Sequence, residues 1–280
     1  MTVTQLHDPA EFAAIATPLL LRDEAENCFW LGLLSDAADL ARHTMCLVRD
    51  DSNACVAIAT MSPGRHMVVS RAPDAAAIAL AQHLHLNAIA LPGIGGVRES
   101  AQAFAGEWTR LSGAAARVHV ELAVHQLTRV IPPPPAAGRM RIAQPSDVDL
   151  VARWITDFRI EIREQRLGGA REIAAARVRA GNLFLWEDGA RSVAMTGVAG
   201  PTPHGIRVNL VYTLPGHRGR GYASNLVAAV SQRMLDGGRT FCFLYTDLAN
   251  PTSNKIYRQI GYEPRGQSLV ILFDGATGTH

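Results

Sequence analysis

The most informative stretch of the chain reads Pro215-Gly216-His217-Arg218-Gly219-Arg220-Gly221-Tyr222-Ala223. It follows an apolar, β-branched segment and precedes a segment with helical periodicity. Glycine lets the backbone approach a ligand without a Cβ clash. The start of a helix presents free N–H groups and a partial positive charge to an anion. Because two arginines add charge, the stretch predicts a pyrophosphate cradle between a strand and a helix, the alternative being a plain turn with solvated arginines.

The segments around this stretch predict an α/β domain with a mixed sheet and helices on its faces. Strands are predicted at Met140–Ile142, Leu183–Trp186, Ser192–Val198, Ile206–Thr213, Thr240–Thr246 and Ser268–Phe273. Helices are predicted from Ser146, as the cap, to Arg163, and at Glu172–Arg179, Tyr222–Leu235 and Thr252–Gln259. In the first 130 residues, strands are predicted at Cys46–Met61 and Val118–Val130 and helices at Asp74–Gln82 and Ser100–Leu111.

Several ligands contain a pyrophosphate, and the residues narrow the choice. A Walker-type ATP loop ends in Gly-Lys-Ser/Thr, which is absent here. A Rossmann fingerprint would place glycine at Ser224 and an acidic residue near Asp247, so a dinucleotide site stays open on this stretch alone. A second pattern follows: Asp247-Leu-Ala-Asn250-Pro-Thr-Ser253-Asn-Lys-Ile256-Tyr257-Arg-Gln-Ile-Gly261-Tyr262.

Together the two patterns resemble the GNAT superfamily of acyl-CoA-dependent N-acetyltransferases. Arg218–Ala223 matches the family's R-x-x-G-x-G/A loop, and 247–262 match its D-x-x-N-x-x-A-x-x-L-Y-x-x-x-G-F pattern. Ser253, Ile256 and Tyr262 replace alanine, leucine and phenylalanine. The resemblance covers roughly 139–273 and implies a GNAT-like fold there, with acetyl-CoA as co-substrate and an amine as acceptor.

The resemblance also implies roles for individual residues. The strand before the loop would be frayed open, so that its backbone binds the acetyl carbonyl and the pantetheine. Tyr257 would act as the general acid that protonates the leaving sulfur. The alternative for Tyr257 is a role in packing only. The implied cofactor-binding residues are Leu210, Val211, Tyr212, Thr213, Arg218, Gly219, Arg220, Gly221, Tyr222, Ala223, Asn250 and Ser253, and the implied catalytic acid is Tyr257. Glu161 is the first candidate for the general base, with Glu164, His204 and His217 as alternatives.

The chain length favours two domains, and a run of four prolines marks a boundary. We predict an accessory domain at 1–130, a stiff linker at 131–138 and the acetyltransferase domain at 139–280. Leu91-Pro92-Gly93 echoes Leu214-Pro215-Gly216, which raises the hypothesis of a tandem duplication. Aligned on this echo, Gly95 faces Arg218 and Arg98 faces Gly221, so the first copy would not bind CoA and would instead support the acceptor pocket.

Composition excludes several other classes. A net charge of +2 argues against a nucleic-acid binder, and no apolar run is long enough to cross a membrane. The N-terminus lacks the pattern of a signal peptide, and the four cysteines lack disulfide or metal spacing, so we predict reduced thiols, no metal and a cytoplasmic monomer or homodimer. Two other hypotheses stay open: a CoA-binding sensor without turnover and a dinucleotide-binding oxidoreductase.

Overall fold

The computed structural model describes residues 1–162, 164 and 168–274. It divides into two compact units. Among the described residues, the N-terminal unit contains Met1–Val124, Thr246–Asn250 and 264–274, and the C-terminal unit contains those of His125–Tyr245 and Pro251–Glu263. Each unit is a mixed sheet with helices packed on it, which confirms the predicted α/β class.

The N-terminal unit begins with a strand, three helices and three strands. Their bounds are β1 Thr2–Leu6, α1 Pro9–Leu20, α2 Cys28–Leu34, α3 Ala37–Leu40, β2 Thr44–Arg49, β3 Cys55–Met61 and β4 Met67–Val69. It continues with α4 Asp74–Leu86, β5 Gly93–Val97, α5 Arg98–Ser112 and β6 Ala115–Leu127, whose last residues belong to the other unit. Its sheet has the order β1-β2-β3-β4-β5-β12-β6, where β12 is Glu263–Asp274. From β1 to β5, the first three neighbouring pairs are antiparallel and the β4–β5 pair is parallel.

The C-terminal unit repeats this series of elements. Its bounds are β7 Arg139–Ile142, α6 Val148–Glu161, α7 Ala170–Arg179, β8 Leu183–Asp188, β9 Arg191–Ala199, β10 Gly205–Thr213, α8 Tyr222–Asp236, β11 Phe241–Asp247 and α9 Pro251–Gln259. Its strands follow the order β7-β8-β9-β10-β11. The first three pairs are antiparallel and β10–β11 is parallel, as in the first copy.

The helix predicted from Ser146 begins differently. Ser146 lies inside a 3-10 turn, Pro145–Asp147, and α6 starts at Val148. The turn is stabilised by a reciprocal cap in which the Gln144 backbone N–H donates to Asp147 Oδ2 at 2.6 Å. The Asp147 carboxylate also accepts two hydrogen bonds from Arg141, so a carboxylate bound to β7 replaces the predicted serine cap.

The echo between Leu91-Pro92-Gly93 and Leu214-Pro215-Gly216 is wrong as an alignment. Gly93–Val97 is a fully buried strand, β5, whereas Leu214 to Gly221 connects a strand to a helix. A Cβ on Gly93 would lie 2.5 Å from the Ile271 carbonyl oxygen, and one on Gly96 would lie 2.0 Å from that of Val69. These glycines therefore serve close strand packing. The element order does repeat in the two units, but in that repeat β5 corresponds to β11.

Two segments bear on the predicted domain limits, namely the last strand and the proline run. Ser268–Leu272 of β12 pair antiparallel with Gly93–Val97, so this late segment is counted with the N-terminal unit. The proline run is bound along the C-terminal unit: Asn225 Nδ2 donates to the Pro134 carbonyl at 2.9 Å and Trp186 Nε1 to that of Ala137 at 2.8 Å. The predicted linker is therefore hydrogen-bonded to α8 and β8 of the C-terminal unit.

Two hydrophobic cores lie on opposite faces of the C-terminal sheet. One face packs under α8 and α9 and includes Trp186, Leu226 and Tyr257. The other packs under α6 and α7 and includes Trp154, Met195 and Tyr212. Three of the four cysteines, Cys28, Cys46 and Cys242, are buried, and Cys55 is half-buried. Within the described residues, no helix is both long and apolar enough to span a bilayer.

Candidate functional site

The second half of β10 departs from regular strand geometry. Its register with β11 covers Gly205–Arg207, although β10 continues to Thr213. Its register with β9 shifts between Asn209 and Tyr212, and Leu210 has φ +52°, a left-handed conformation that costs a leucine about 1–2 kcal/mol. Such backbone strain is often found at binding sites. The segment is therefore the open strand that the resemblance implies.

Buried polar atoms follow the same segment. Asn209 Oδ1 and Thr213 Oγ1 are buried and have no hydrogen-bond partner within the described residues. An unpartnered buried polar atom costs about 1–3 kcal/mol. Two of them therefore add to the local cost of the bulged half of β10.

The connection from β10 to α8, Leu214–Gly221, is called the glycine-arginine loop below. Gly219 has φ +76° and Gly221 has φ +79°, which a residue with a Cβ adopts only with strain. A Cβ on Gly216 or Gly219 would meet no atom within 4 Å. Gly219 and Gly221 thus serve backbone conformation, and the space beside Gly216 and Gly219 is open, whereas a Cβ on Gly221 would contact Asn225 and Ala136 at 3.5 Å and 3.7 Å.

The loop ends in a group of free donors. The backbone N–H groups of Gly219, Arg220 and Gly221 have no acceptor in the described part of the chain, and the first turn of α8 adds its own free N–H groups. The helix start is fixed because the buried Tyr222 donates its hydroxyl to Asp188 Oδ2 at 2.5 Å. This carboxylate raises the pKa of the Tyr222 hydroxyl. The arrangement suits a phosphate oxygen.

Arg218 is held on the α6 side of the loop. Its Nη2 donates to the Glu161 carboxylate, its Nε donates to the Thr213 carbonyl at 3.0 Å, and its guanidinium carbon lies 5.9 Å from the centre of the Tyr212 ring. Glu161 is therefore the counter-ion of Arg218 in this structure, and its role as general base remains a prediction. Arg220 and Ala223 lie beside the free donors.

The buried ring of Tyr212 connects β10 to α6. Its hydroxyl donates to Asp157 Oδ2 at 3.4 Å, and its ring packs on that of Trp154 with 6.0 Å between centroids. Burial first, and then the negative charge of Asp157, raise the pKa of the Tyr212 hydroxyl. Sequence reasoning named Tyr212 only for its backbone and missed Asp157, although Asp157 and Glu161 share one helix face at i, i+4 spacing.

Tyr257 lies on the other face of the sheet. It is buried on α9 with its ring edge-to-face against Tyr262 at 5.9 Å, and burial raises the pKa of its hydroxyl. The phenol therefore keeps its proton in the neutral pH range. Ser253 precedes it by one helical turn on the same helix, whereas Asn250 is counted with the N-terminal unit.

The structure does not bring the three alternative candidates for the general base together at one place. Glu164 forms an ion pair with Arg159 at 3.4 Å. His217 lies on the loop, and its buried Nδ1 has no partner among the described residues. His204 precedes Gly205 at the far end of β10, roughly 25–30 Å along the strand from Thr213. This distance excludes His204 as a base at the loop. Among described residues, no group of three His, Cys, Asp or Glu side chains could hold a metal ion.

Comparison with known proteins bears on this geometry. Residues 201–271, which include the glycine-arginine loop and α9, match the family model described as FR47-like protein. No protein of curated function matches the chain in sequence.

Solved structures match the whole chain. A GNAT-family acetyltransferase from Colwellia psychrerythraea has 10% identity and a TM-score of 0.64, with 98% of this chain and 99% of that one covered. A GCN5-related N-acetyltransferase from Sphaerobacter thermophilus has 17% identity and a TM-score of 0.66, with coverages of 96% and 94%. A tandem GNAT protein from the clavulanic acid biosynthesis pathway has 14% identity and a TM-score of 0.58, with coverages of 100% and 99%.

At these identities the likeness concerns the fold. The chain has the GNAT fold, and the tandem arrangement extends it over both halves. The predicted fold class and the predicted resemblance are thereby confirmed.

Proposed function

We propose that the C-terminal unit transfers an acetyl group from acetyl-CoA to a primary amine. The observation that carries the proposal is the row of free N–H donors at Gly219–Gly221 directly after a strand that bulges at Leu210. A pyrophosphate fits these donors, because they have no acceptor within the described residues and the space beside Gly216 and Gly219 is open. Acetyl-CoA, when bound, supplies the acetyl thioester.

The residues of this chain then have distinct tasks. Gly219, Arg220 and Gly221 would bind the pyrophosphate through their N–H groups, with the arginines of the loop adding charge. Backbone groups at 210–213 would hold the pantetheine and polarise the thioester carbonyl. The Tyr257 hydroxyl holds the proton that a leaving thiolate needs, since burial keeps the phenol neutral.

This proposal assigns one CoA site to the chain and places it in the C-terminal unit. Asn250 and Ser253 are proposed to line the CoA groove, and Glu161 is proposed as the base that accepts the amine proton once CoA phosphate competes for Arg218. We also propose that the protein acts in the cytoplasm, as a monomer or homodimer, without a metal and without nucleic acid.

The test is acetyl-CoA-dependent thiol release measured across a library of amines, together with thermal stability in the presence of CoA, NAD or ATP. Thiol release with at least one amine and stabilisation by CoA alone are expected. A ligand at a hundred times its Kd adds about 2.7 kcal/mol of stability. Stabilisation by CoA without thiol release would instead identify a CoA sensor, and stabilisation by NAD alone would reject the proposal.

A further inference from the structure

A cleft of about 750 Å³ opens in the C-terminal unit between α6 and the β8–β9 hairpin. One wall is a helical stripe of α6 that includes Arg153, Trp154 and Asp157, and the opposite wall includes Arg191. Leu214, the first residue of the glycine-arginine loop, also lines the cleft. The cleft therefore begins where β10 ends, on the α6 face of the sheet.

The charged groups of the cleft are not equally available. Arg141 is bound by Asp147 at 2.6 Å and 2.9 Å and by Glu187 at 2.5 Å, so its guanidinium is occupied and the three side chains together carry one net negative charge. Arg153 and Arg191 are exposed, and their side chains have no ion pair or hydrogen bond among the described residues. Two guanidinium groups on opposite walls are thus free to bind an anion, for which the planar donor fork of arginine is suited.

Asp157 is the remaining carboxylate of the cleft. It lies one helical turn beyond Arg153 and accepts the hydroxyl of Tyr212, a residue of the irregular half of β10. Asp157 therefore places a negative charge where the cleft meets the strand proposed to hold the acetyl thioester. A carboxylate at that point suits an ammonium group.

We propose that this cleft binds the acceptor and selects amines that also carry an anionic group, a carboxylate or a phosphate. Asp157 receives the ammonium end, and Arg153 and Arg191 receive the anionic end. This inference rests on the acetyltransferase function proposed above. In the reaction the N–C bond forms and the C–S bond breaks. Of the two protons that the ammonium loses, one is accepted by Glu161, the base proposed above, and passes to solvent, and the other replaces the proton that Tyr257 gives to the sulfur.

The kinetic test compares matched acceptors: the twenty common amino acids, their carboxamides, aminoalkyl phosphates and the corresponding alkylamines. Wild type is expected to show a kcat/KM at least tenfold higher for an amine with an anionic group than for its neutral match. Activity confined to the carboxylates or to the phosphates identifies which anion the arginines bind. Equal kcat/KM across every active matched pair would overturn the proposal.

The variants separate a specific role of the arginines from a general one. The double variant Arg153→Gln/Arg191→Gln is expected to raise KM for the anionic amine ten- to a hundredfold, with kcat and the rate on the neutral amine unchanged. Arg233→Gln, an exposed arginine on α8, is the matched control and should change neither. An equal loss on anionic and neutral amines would contradict a role in recognition.

Direct measurement of acceptor binding tests the cleft even if the proposed acetyltransferase function fails. If CoA binds but no amine is acetylated, calorimetry with the amino acids and aminoalkyl phosphates still tests the cleft. Binding to wild type that weakens tenfold in the double variant supports the cleft assignment, and the absence of binding overturns it.

Discussion

The two units differ most at the connection that leads from the fourth strand to the next helix. In the N-terminal unit this connection is Ser70–Pro73, between β4 and α4, and in the C-terminal unit it is the glycine-arginine loop. Both connections follow a strand that pairs antiparallel on one side and parallel on the other. The same topology therefore carries two different local chemistries.

The N-terminal connection uses its donors internally. The Ser70 N–H donates to the Ile58 carbonyl at 2.9 Å, and the Ala72 N–H donates to Ser100 Oγ at 2.8 Å. Pro73, directly before α4, has no N–H to offer. The C-terminal loop instead contains glycines with positive φ and free N–H groups. The comparison teaches that a longer loop with glycine, rather than the strand–helix topology itself, leaves backbone N–H groups free to bind an anion.

Each connection also carries one arginine paired with a glutamate. Arg71 donates to both carboxylate oxygens of Glu26, at 2.8 Å and 2.6 Å, and the Glu26 side chain is only 5% exposed. Glu161, paired with Arg218, is 44% exposed. The first pair satisfies a buried charge, whereas the second can separate at little cost.

The largest expected effect concerns the number of sites. One CoA molecule should bind per chain, and Gly221→Glu should abolish binding because it places strain and negative charge at the free donors. The matched control is Gly113→Glu, at φ +70° with no atom within 4 Å of its Cβ. Isothermal titration of both variants measures the effect. Two equivalent sites, or equal losses in the two variants, would erase the contrast between the units.

The second prediction concerns the proton donor. All five tyrosines lie between 212 and 262, and α5, the counterpart of α9, buries Phe104 and Trp108 instead. Tyr257→Phe should lower kcat by about 10²–10⁴-fold with CoA affinity retained, since the hydroxyl is needed only as the thiolate leaves. Tyr262→Phe removes a hydroxyl that hydrogen-bonds Ser231 at 2.8 Å and should change stability rather than kcat. Full turnover by Tyr257→Phe would assign that residue to packing.

The third prediction separates the two arginines. Arg218→Ala should weaken CoA binding by roughly tenfold with little change in stability, because it removes one charge-assisted contact to phosphate. Arg71→Ala should leave CoA binding unchanged and lower the free energy of unfolding by about 1–3 kcal/mol, since Glu26 loses its partner. Calorimetry and urea denaturation of both variants provide the data. Weaker CoA binding by Arg71→Ala, together with unchanged binding by Arg218→Ala, would contradict a CoA site in the C-terminal unit.

The smallest expected effect concerns Asp147, a carboxylate that lines the cleft of the C-terminal unit and is bound by Arg141. Hydrogen bonds from Arg141 lower the pKa of Asp147. The ionised Asp147 carboxylate therefore stabilises the folded state fully above the ordinary Asp pKa of about 3.9. This contribution to the free energy of unfolding is lost as the pH falls through the lowered pKa of the folded state. Urea denaturation should show Asp147→Asn less stable than wild type by about 1 kcal/mol at pH 7, with the gap closing below about pH 4. A gap that persists at pH 2 would show that the carboxylate charge is not its source.

Much of the C-terminal unit could be predicted because its signals are local. Glycine at 219 and 221, helical spacing after Tyr222 and the turn at Asp188-Gly189 each act within a few residues, and the corresponding elements form where predicted. The N-terminal unit gives weaker signals: α1, α2 and α3 and the strands β1, β4 and β5 were not predicted, since short or glycine-containing elements carry little periodicity.

By itself the sequence determined the fold class, the order of strands and helices in the C-terminal half and the glycine-arginine loop. Backbone propensity and hydrophobic periodicity are properties of residues that are neighbours along the chain. Tertiary structure alone decided that Gly93–Val97 is a strand, that Ser268–Leu272 pair with it, and that Asp157 meets Tyr212. These contacts join segments 55 to more than 150 residues apart along the chain. They depend on which faces pack together, and a local pattern does not encode that choice.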